Sequence, residues 1–321
     1  MIVEPVEREK CTILLPIRNG KLFIEQALEN LLATAGINDE ILIVNDGSTD
    51  ETPIMLKEFQ TKDPRIIVIN IAPSGLVAAL NRGLAVATNE IIARADVDDF
   101  YSLDRLNCQV ELLQKNPAIA AVFSDYVCWS ETDYNLGYIP TGITAAATQL
   151  SLVDTFRTPH PSVMFRKSAV LSVGGYQVDD FPAEDLGLWI RLSSKFELHT
   201  VALPLLRYRM NPEGISSSRQ TEMKLKRDML VANLDYADLI SKNIDLYSEV
   251  KTAYEMAYRQ NQRLALYNLD LYLCIKRANL NLPTKVALFA RIASRFFDPR
   301  ICLAFLGLLL DRRRRKRTAK N

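Results

Sequence analysis

"EILIVNDGSTDETP", residues 40–53, places an apolar run, a turn and a helix start end to end. Residues 40–45 are mostly apolar and β-branched and read as a buried strand. "DGSTDETP" is turn chemistry, with Thr52 the expected N-cap and Pro53 at the first helical position. The same grammar repeats on both sides. Upstream, "TILLPI" (12–17) reads as a strand, and residues 21–35 set Leu22, Phe23, Ala27, Leu28, Leu31 and Leu32 near helical spacing. Downstream, the pattern predicts strands over 65–71, 90–95 and 121–129, and helices over 76–88 and 102–115, the last capped by Ser102. Strands alternating with helices through short polar connections predict βαβ units: an α/β fold with a mainly parallel sheet flanked by helices. Ligands of such sheets bind beyond the carboxyl ends of the strands. Arg18, Asn19, Asp46, Ser48 and the Asp96–Asp99 cluster all lie there.

The chain has 321 residues, 48% of them hydrophobic and 24% charged, which is globular composition with ample core material. A formal charge of +1 gives no global bias toward nucleic acid. Five scattered cysteines form no CxxC pair, which argues against a zinc site or disulfide framework and fits a reducing compartment. "MIVEPVEREK" is acidic and polar and does not read as a signal peptide. Residues 135–220 are irregular, and from about Ser218 the pattern turns helical. The expected division is 10–217 for the α/β domain and 218–321 for a helical extension with a basic tail.

Four clusters carry candidate chemistry. "IIARADVDDF" (91–100) ends an apolar run with Asp96, Asp98 and Asp99. Close like charges repel, and burying them is unfavourable unless something pairs with them. Either water solvates the cluster at a turn or a cation sits there. On an extended strand Asp96 and Asp98 share a face, which suits a hard divalent ion such as magnesium or manganese. Asp46, in "VNDGSTDET" (44–52), can accept a hydrogen bond from a bound base or hydroxyl, while turn and capping chemistry accounts for Gly47 to Asp50. In "AEDLGLWIRL" (183–192), Glu184 and Asp185 open a helix, where the dipole stabilises them or where a carboxylate desolvated near Trp189 serves as general base. His160, between prolines in "RTPHPSVMFRKS" (157–168), is either a metal or phosphate contact or a structural histidine.

"TILLPIRNG", "ILIVNDGSTDET", "GLVAALNRGLAVATNEIIARADVDD", "HPSVMFRKSAVLSVGGY" and "AEDLGLWIRL" occur in this order over roughly residues 10–215, and the ordered set resembles glycosyltransferase family 2. The resemblance implies the Rossmann-like GT-A fold and transfer from a nucleotide-diphosphate sugar, UDP-linked by expectation, with inversion by direct displacement. It implies that Asp46 contacts uracil, that Pro16, Arg18 and Asn19 line the nucleoside, and that Asn81 belongs to the donor site. Asp96 and Asp98 match the D-x-D motif. Asp98 is then the direct ligand of Mn2+ or Mg2+ on the diphosphate, Asp96 contacts the ribose or the metal, and His160 is a further metal candidate. Asp185 matches the catalytic base, with Glu184 beside it. The family commonly has an aromatic residue where Arg18 stands, so Arg18 either stacks on the base or reaches a phosphate. "LLRYRMNPEGISSS" (205–218) loosely matches a basic-aromatic segment, which brings Arg207 or Arg209 toward the diphosphate. The implied acceptor is a hydroxyl of a glycan or a lipid-linked sugar in bacterial cell-surface polysaccharide synthesis. The alternatives are a non-catalytic nucleotide-sugar-binding relative or a nucleotidyltransferase. The latter would want a Gly-rich basic loop after the first strand, and "PIRNGKLF" (16–23) has one Gly.

Residues 284–310 are apolar with scattered basic residues, and "RRRRKR" follows at 312–317. The run "ICLAFLGLLL" (301–310) is too short to cross a bilayer, which takes ~20 residues. A basic apolar tail suits an anionic membrane surface, at ~1 kcal/mol per basic residue near it. The bland alternative is a packed C-terminal helix with a solvated end. No aromatic platforms interleave the basic run, so nucleic acid is not an expected partner. The expected location is cytoplasmic, peripheral on the inner face of the cell membrane.

Overall fold

Two strands, β1 (Cys11–Ile17) and β2 (Glu40–Asp46), are buried at every residue. Their near-continuous apolar runs are explained by a sheet covered on both faces. The computed structural model describes residues 8–130, 137–139 and 158–232, and these all fall in one of the two units into which the chain divides. β3 (Ile66–Ile71) pairs parallel with β2, and β2 and β4 (Ile91–Arg94) pair parallel with β1. The sheet then continues through β5 (Phe100–Tyr101), β6 (Ile119–Trp129), β7 (Gly137–Ile139), β8 (Met164–Arg166) and β9 (Glu197–Arg209). Its order is β3-β2-β1-β4-β8-β6-β9-β5, with β7 on β6. Pairing is parallel throughout the first half. In the second half β6 and β9 run parallel, while β8, β7 and β5 run antiparallel to their neighbours.

Successive residues of β1 feed opposite layers. Ile13, Leu15 and Ile17 join a core with α1 (Ile24–Thr34), α2 (Thr52–Lys62) and α4 (Arg105–Lys115). Leu14 joins the other, with α3 (Leu76–Val86), α5 (Lys167–Ser172) and α6 (Glu184–Ser193). After β9 come α7 (Ile215–Ser218) and α8 (Gln220–Ala232). Among the described residues no helix is long and apolar enough to cross a membrane. Past residue 232, the expected extension, its apolar run and its basic tail lie outside the described residues.

Three local expectations are corrected. Thr52 is the first helical residue rather than the cap, and its hydroxyl accepts the Gly20 N–H at 2.9 Å, joining the β1 and β2 loops. The helix expected from Ser102 starts at Arg105, because Phe100 and Tyr101 first pair with Arg207 and Leu206 as a strand. The aspartate cluster is a turn between β4 and β5, not an extended strand, so the shared-face geometry expected of Asp96 and Asp98 does not hold.

Gly47 makes the turn after β2 possible. Its φ is +61°, and a methyl group there would meet Pro73 Cγ at 2.5 Å and the Pro73 nitrogen at 2.9 Å. Gly47→Ala should therefore destabilise the protein by about 1–3 kcal/mol. The check is the urea midpoint at unchanged m-value, and an unchanged midpoint would contradict the reading.

Candidate active site

The carboxyl ends of β1 and β2 carry the expected donor loops. Pro16 is buried in β1 opposite Val44, while Arg18 is exposed and approaches Asp46, with 4.0 Å between Nη1 and Oδ2. Asn19, at φ +54°, accepts the Thr49 N–H at 2.8 Å and donates its own N–H to Ser48 Oγ at 2.9 Å. Asp46 is buried and accepts the N–H groups of Ser74 (2.6 Å) and Gly75 (2.9 Å), just before α3. A carboxylate held against a helix N-terminus is electrostatically favoured. Asn81, on α3, does not present its amide to the β1 and β2 loops. It donates to the Tyr176 carbonyl at 2.8 Å and accepts the Tyr176 N–H at 3.0 Å.

Each aspartate of the turn has its own restraint. Asp96 pairs with Arg94 Nη1 at 2.7 Å, and its N–H donates to the Tyr101 hydroxyl at 2.7 Å. Asp98 accepts from Asn211 Nδ2 at 3.1 Å, and its carbonyl accepts from Arg209 Nε at 2.8 Å. Asp99 points inward, where Oδ1 accepts the Arg209 N–H at 2.7 Å and buried Oδ2 has no hydrogen-bond partner among the described residues. The Arg209 guanidinium lies 3.9 Å from the centre of the Trp129 ring and 4.9 Å from that of Phe23. Burial, then the charge of Asp96, pushes the Asp98 carboxyl above its ordinary range, and the same two effects with Asp98 raise Asp99 further.

Glu184 and Asp185 open α6 and are both buried. Asp185 Oδ1 accepts the Leu186 N–H at 2.7 Å, and Glu184 Oε2 is buried without a hydrogen-bond partner among the described residues. Burial, then the neighbouring Glu184, raises Asp185 to about 8, and burial raises Glu184 as well. The positive charge that opposes this comes from Arg94, buried at the end of β4. Burial disfavours its guanidinium charge, but Asp96 and the surrounding groups outweigh that and hold it protonated. Beneath it lies buried Arg105, which has no ion-pair partner within 4.0 Å among the described residues. Its Nη2 donates to the Arg94 carbonyl (2.7 Å) and the Val163 carbonyl (3.0 Å), its Nε donates to Gln109 Oε1 (3.1 Å), and it stacks over Tyr101. Gln109 in turn donates to the Val122 and Ser162 carbonyls. This buried lattice ties β4, β6 and the His160–Ser162 turn into one floor.

Asp96, Glu184 and Asp185 gather around Arg94, and Asp98, beside Asp96, is held from the end of β9 by Arg209 and Asn211. His160 instead places Nε2 2.7 Å from the Tyr176 hydroxyl, and burial, then Arg94, keeps its ring neutral. Among the described residues, no three His, Cys, Asp or Glu side chains form a closed cage for a metal. A Mg2+ or Mn2+ ion needs no such cage, because it binds through one or two carboxylates plus water and phosphate oxygens. Asp98 and Asp96 fit that role: burial and then the charge of Asp96 raise Asp98, and a cation shared by the two carboxylates would offset both. Reading the sequence missed Arg94, Arg105, Tyr176 and Asn211. A lone Arg in "IIARA" was the available signal, since arginine is almost never fully buried unless paired.

Residues 12–172 match the sequence profile described as glycosyl transferase family 2. A glycosyltransferase of Haemophilus influenzae named as uncharacterized is 30% identical over 224 residues, covering 68% of this chain and 82% of that protein. The Escherichia coli UDP-Gal:alpha-D-GlcNAc-diphosphoundecaprenol beta-1,3-galactosyltransferase is 28% identical over 187 residues, covering 54% of this chain and 64% of that protein. In fold, the mannosyltransferase PcManGT from Pyrobaculum calidifontis, solved with GDP-Man and Mn2+, superimposes with a TM-score of 0.57 at 18% identity, over 96% of this chain and 89% of that one. The mixed, largely parallel sheet between two helical layers is the GT-A fold, and the chain belongs to glycosyl transferase family 2, a family of glycosyltransferases.

Proposed function

We propose that the chain moves a sugar from a nucleotide-diphosphate sugar, with UDP the expected nucleotide, to a hydroxyl of a glycan or lipid-linked acceptor, inverting the anomeric centre. The carrying observation is the buried Glu184–Asp185 pair at the start of α6, where Asp185 is raised to about 8. A desolvated carboxylate with a pKa near the working pH is suited to accept a proton. The acceptor hydroxyl gives its proton to Asp185 as its oxygen bonds to the anomeric carbon. The bond from that carbon to the diphosphate oxygen breaks, and its electron pair leaves with the nucleoside diphosphate. Asp46, Arg18 and Asn19 form the nucleoside side, and Arg209 adds positive charge near the diphosphate. When bound, Mn2+ or Mg2+ on Asp98 and Asp96 supplies positive charge against the leaving group. The name of the E. coli relative, with its UDP-Gal donor and diphosphoundecaprenol-linked acceptor, supports a lipid-linked acceptor and a role in bacterial surface polysaccharide synthesis. The polybasic residues 312–317 support a place on the anionic inner face of the membrane.

A panel of UDP-, GDP- and dTDP-sugars with Mn2+ identifies the donor. With that donor, Asp185→Asn should lower kcat by about 10²–10⁴ while leaving donor affinity nearly unchanged. Near-wild-type turnover would remove Asp185 from the mechanism. Protonated Asp185 cannot act as base, so wild-type kcat/KM should rise with pH through about 8, and a profile flat from about pH 6 to 9 would contradict that role. Asp98→Ala should raise the half-saturating Mn2+ concentration about tenfold or more, following the loss of one charged ligand. Full activity of the wild type in EDTA would rule out the metal. Deleting 311–321 should move the protein from the membrane to the salt-soluble fraction, and an unchanged distribution would count against tail anchoring.

A further inference from the structure

His160 and Asn81 turn toward each other through Tyr176. The Asn81 amide brackets the Tyr176 backbone, donating to its carbonyl at 2.8 Å and accepting its N–H at 3.0 Å. That clasp fixes a residue 95 positions away in sequence onto α3, the helix whose N-terminal approach is held by Asp46. Close approach is possible because Gly175 precedes Tyr176: at φ +65°, a methyl there would meet Asn81 Oδ1 at 2.9 Å. The Gly175 carbonyl accepts from Arg191 Nη2 at 2.9 Å, so α6 grips the same loop from its other side.

The Tyr176 side chain completes the link. Its hydroxyl, buried, shares a 2.7 Å hydrogen bond with His160 Nε2, and the two rings lie 5.3 Å apart. The His160 ring meets Trp189 edge-on at 5.9 Å. Trp189 is fully buried and sits one helical turn after Asp185, on the helix that Asp185 opens. One continuous path therefore runs from the donor-side helix α3 through Asn81, Tyr176, His160 and Trp189 to the first turn of α6.

Resting on the reading of Asp185 as the base, we infer that Tyr176 is a positioning residue: with His160 and Asn81 it holds the base-bearing turn of α6 in place against the donor half of the site. Neither His160 nor Asn81 then needs to touch metal or nucleotide. Losing the hydroxyl loosens the first turn of α6 but leaves the donor loops, and displacements of about 1 Å at a reacting group lower rates by about a hundredfold.

Tyr176→Phe keeps the ring and removes only the hydroxyl. In the full chain without ligand, it should speed amide hydrogen exchange over residues 184–193 several-fold, with residues 40–62 and the melting temperature unchanged. With the donor returned by the sugar panel and Mn2+, kcat should fall about tenfold to a hundredfold while donor KM stays within about twofold. His160→Gln, which retains a partner for the hydroxyl, should keep more activity than His160→Leu. Combining Tyr176→Phe with His160→Leu should be no worse than the weaker single variant, because both break one link. Unchanged exchange over 184–193 in Tyr176→Phe, additive losses in the double variant, or a kcat loss that follows a fall in melting temperature would each overturn the inference. Asp185→Asn in the same assays separates the two claims: if it stays active, the base assignment fails. If it is inactive while Tyr176→Phe behaves as wild type, only the positioning role fails.

Discussion

Everything at the carboxyl end of the sheet depends on one charge problem: Asp96, Asp98, Asp99, Glu184 and Asp185 lie close together, with the buried Arg94 paired to Asp96 and acting on three of the others. Like charges in a poorly solvated space raise one another's pKa, and four of the five carboxyls are raised. Arg94 neutralises part of this, and the Arg105 guanidinium supports it from below through carbonyl oxygens rather than through an acid. Burying a second cation without a carboxylate is unfavourable in isolation. It becomes tolerable where a net negative cluster lies a few residues away, and Asp99 is among the charges that favour Arg105. The floor and the acidic turn are thus mutually dependent, and neither is a sensible arrangement alone.

This arrangement favours function over stability. Glu184 Oε2 and Asp99 Oδ2 are buried with no hydrogen-bond partner among the described residues, which is unfavourable for folding. Keeping them is reasonable where a substrate and its cation complete the charge balance, since active sites hold groups that the fold by itself does not favour. Arg209 illustrates the dual use of one residue. Its backbone N–H holds Asp99, its Nε holds the Asp98 carbonyl, and its planar head lies on Trp129.

The βαβ half of the fold was legible because its strands are buried on both faces and its helices carry one apolar stripe each. β1 and β2 match their apolar runs within a residue at either end. The candidate carboxylates Asp96, Asp98, Glu184 and Asp185 stand out in the sequence through their order along the chain. What local pattern does not encode is where side chains go once distant segments meet. Asp99 read only as one member of an acidic cluster, either solvated at a turn or beside a cation, whereas the Arg209 N–H of β9 holds it inward. Ser102 looked like a cap, but β5 forms first because β9 offers it an edge. Asn81 looked like a donor-site residue and His160 like either a ligand or a structural histidine, and Tyr176 occupies both. The deciding partner is about a hundred residues away for Asp99, Ser102 and Asn81, and 16 away for His160.

The clamp between the acidic turn and the end of β9 also bears on how the chain acquires its activity. The stretch that defines the family ends at residue 172, yet Asp99 and Asp98 are held by Arg209 and Asn211, about 110 positions downstream of the turn. During synthesis the parallel half of the sheet can assemble while the acidic turn still lacks its anchor, because long-range pairings form late. The turn then gains its fixed shape only when β9 docks beside β5 and β6. A nascent or truncated chain lacking β9 would carry the acidic residues 96–99 without Arg209 and Asn211 to hold them, so the shape of that turn waits on β9.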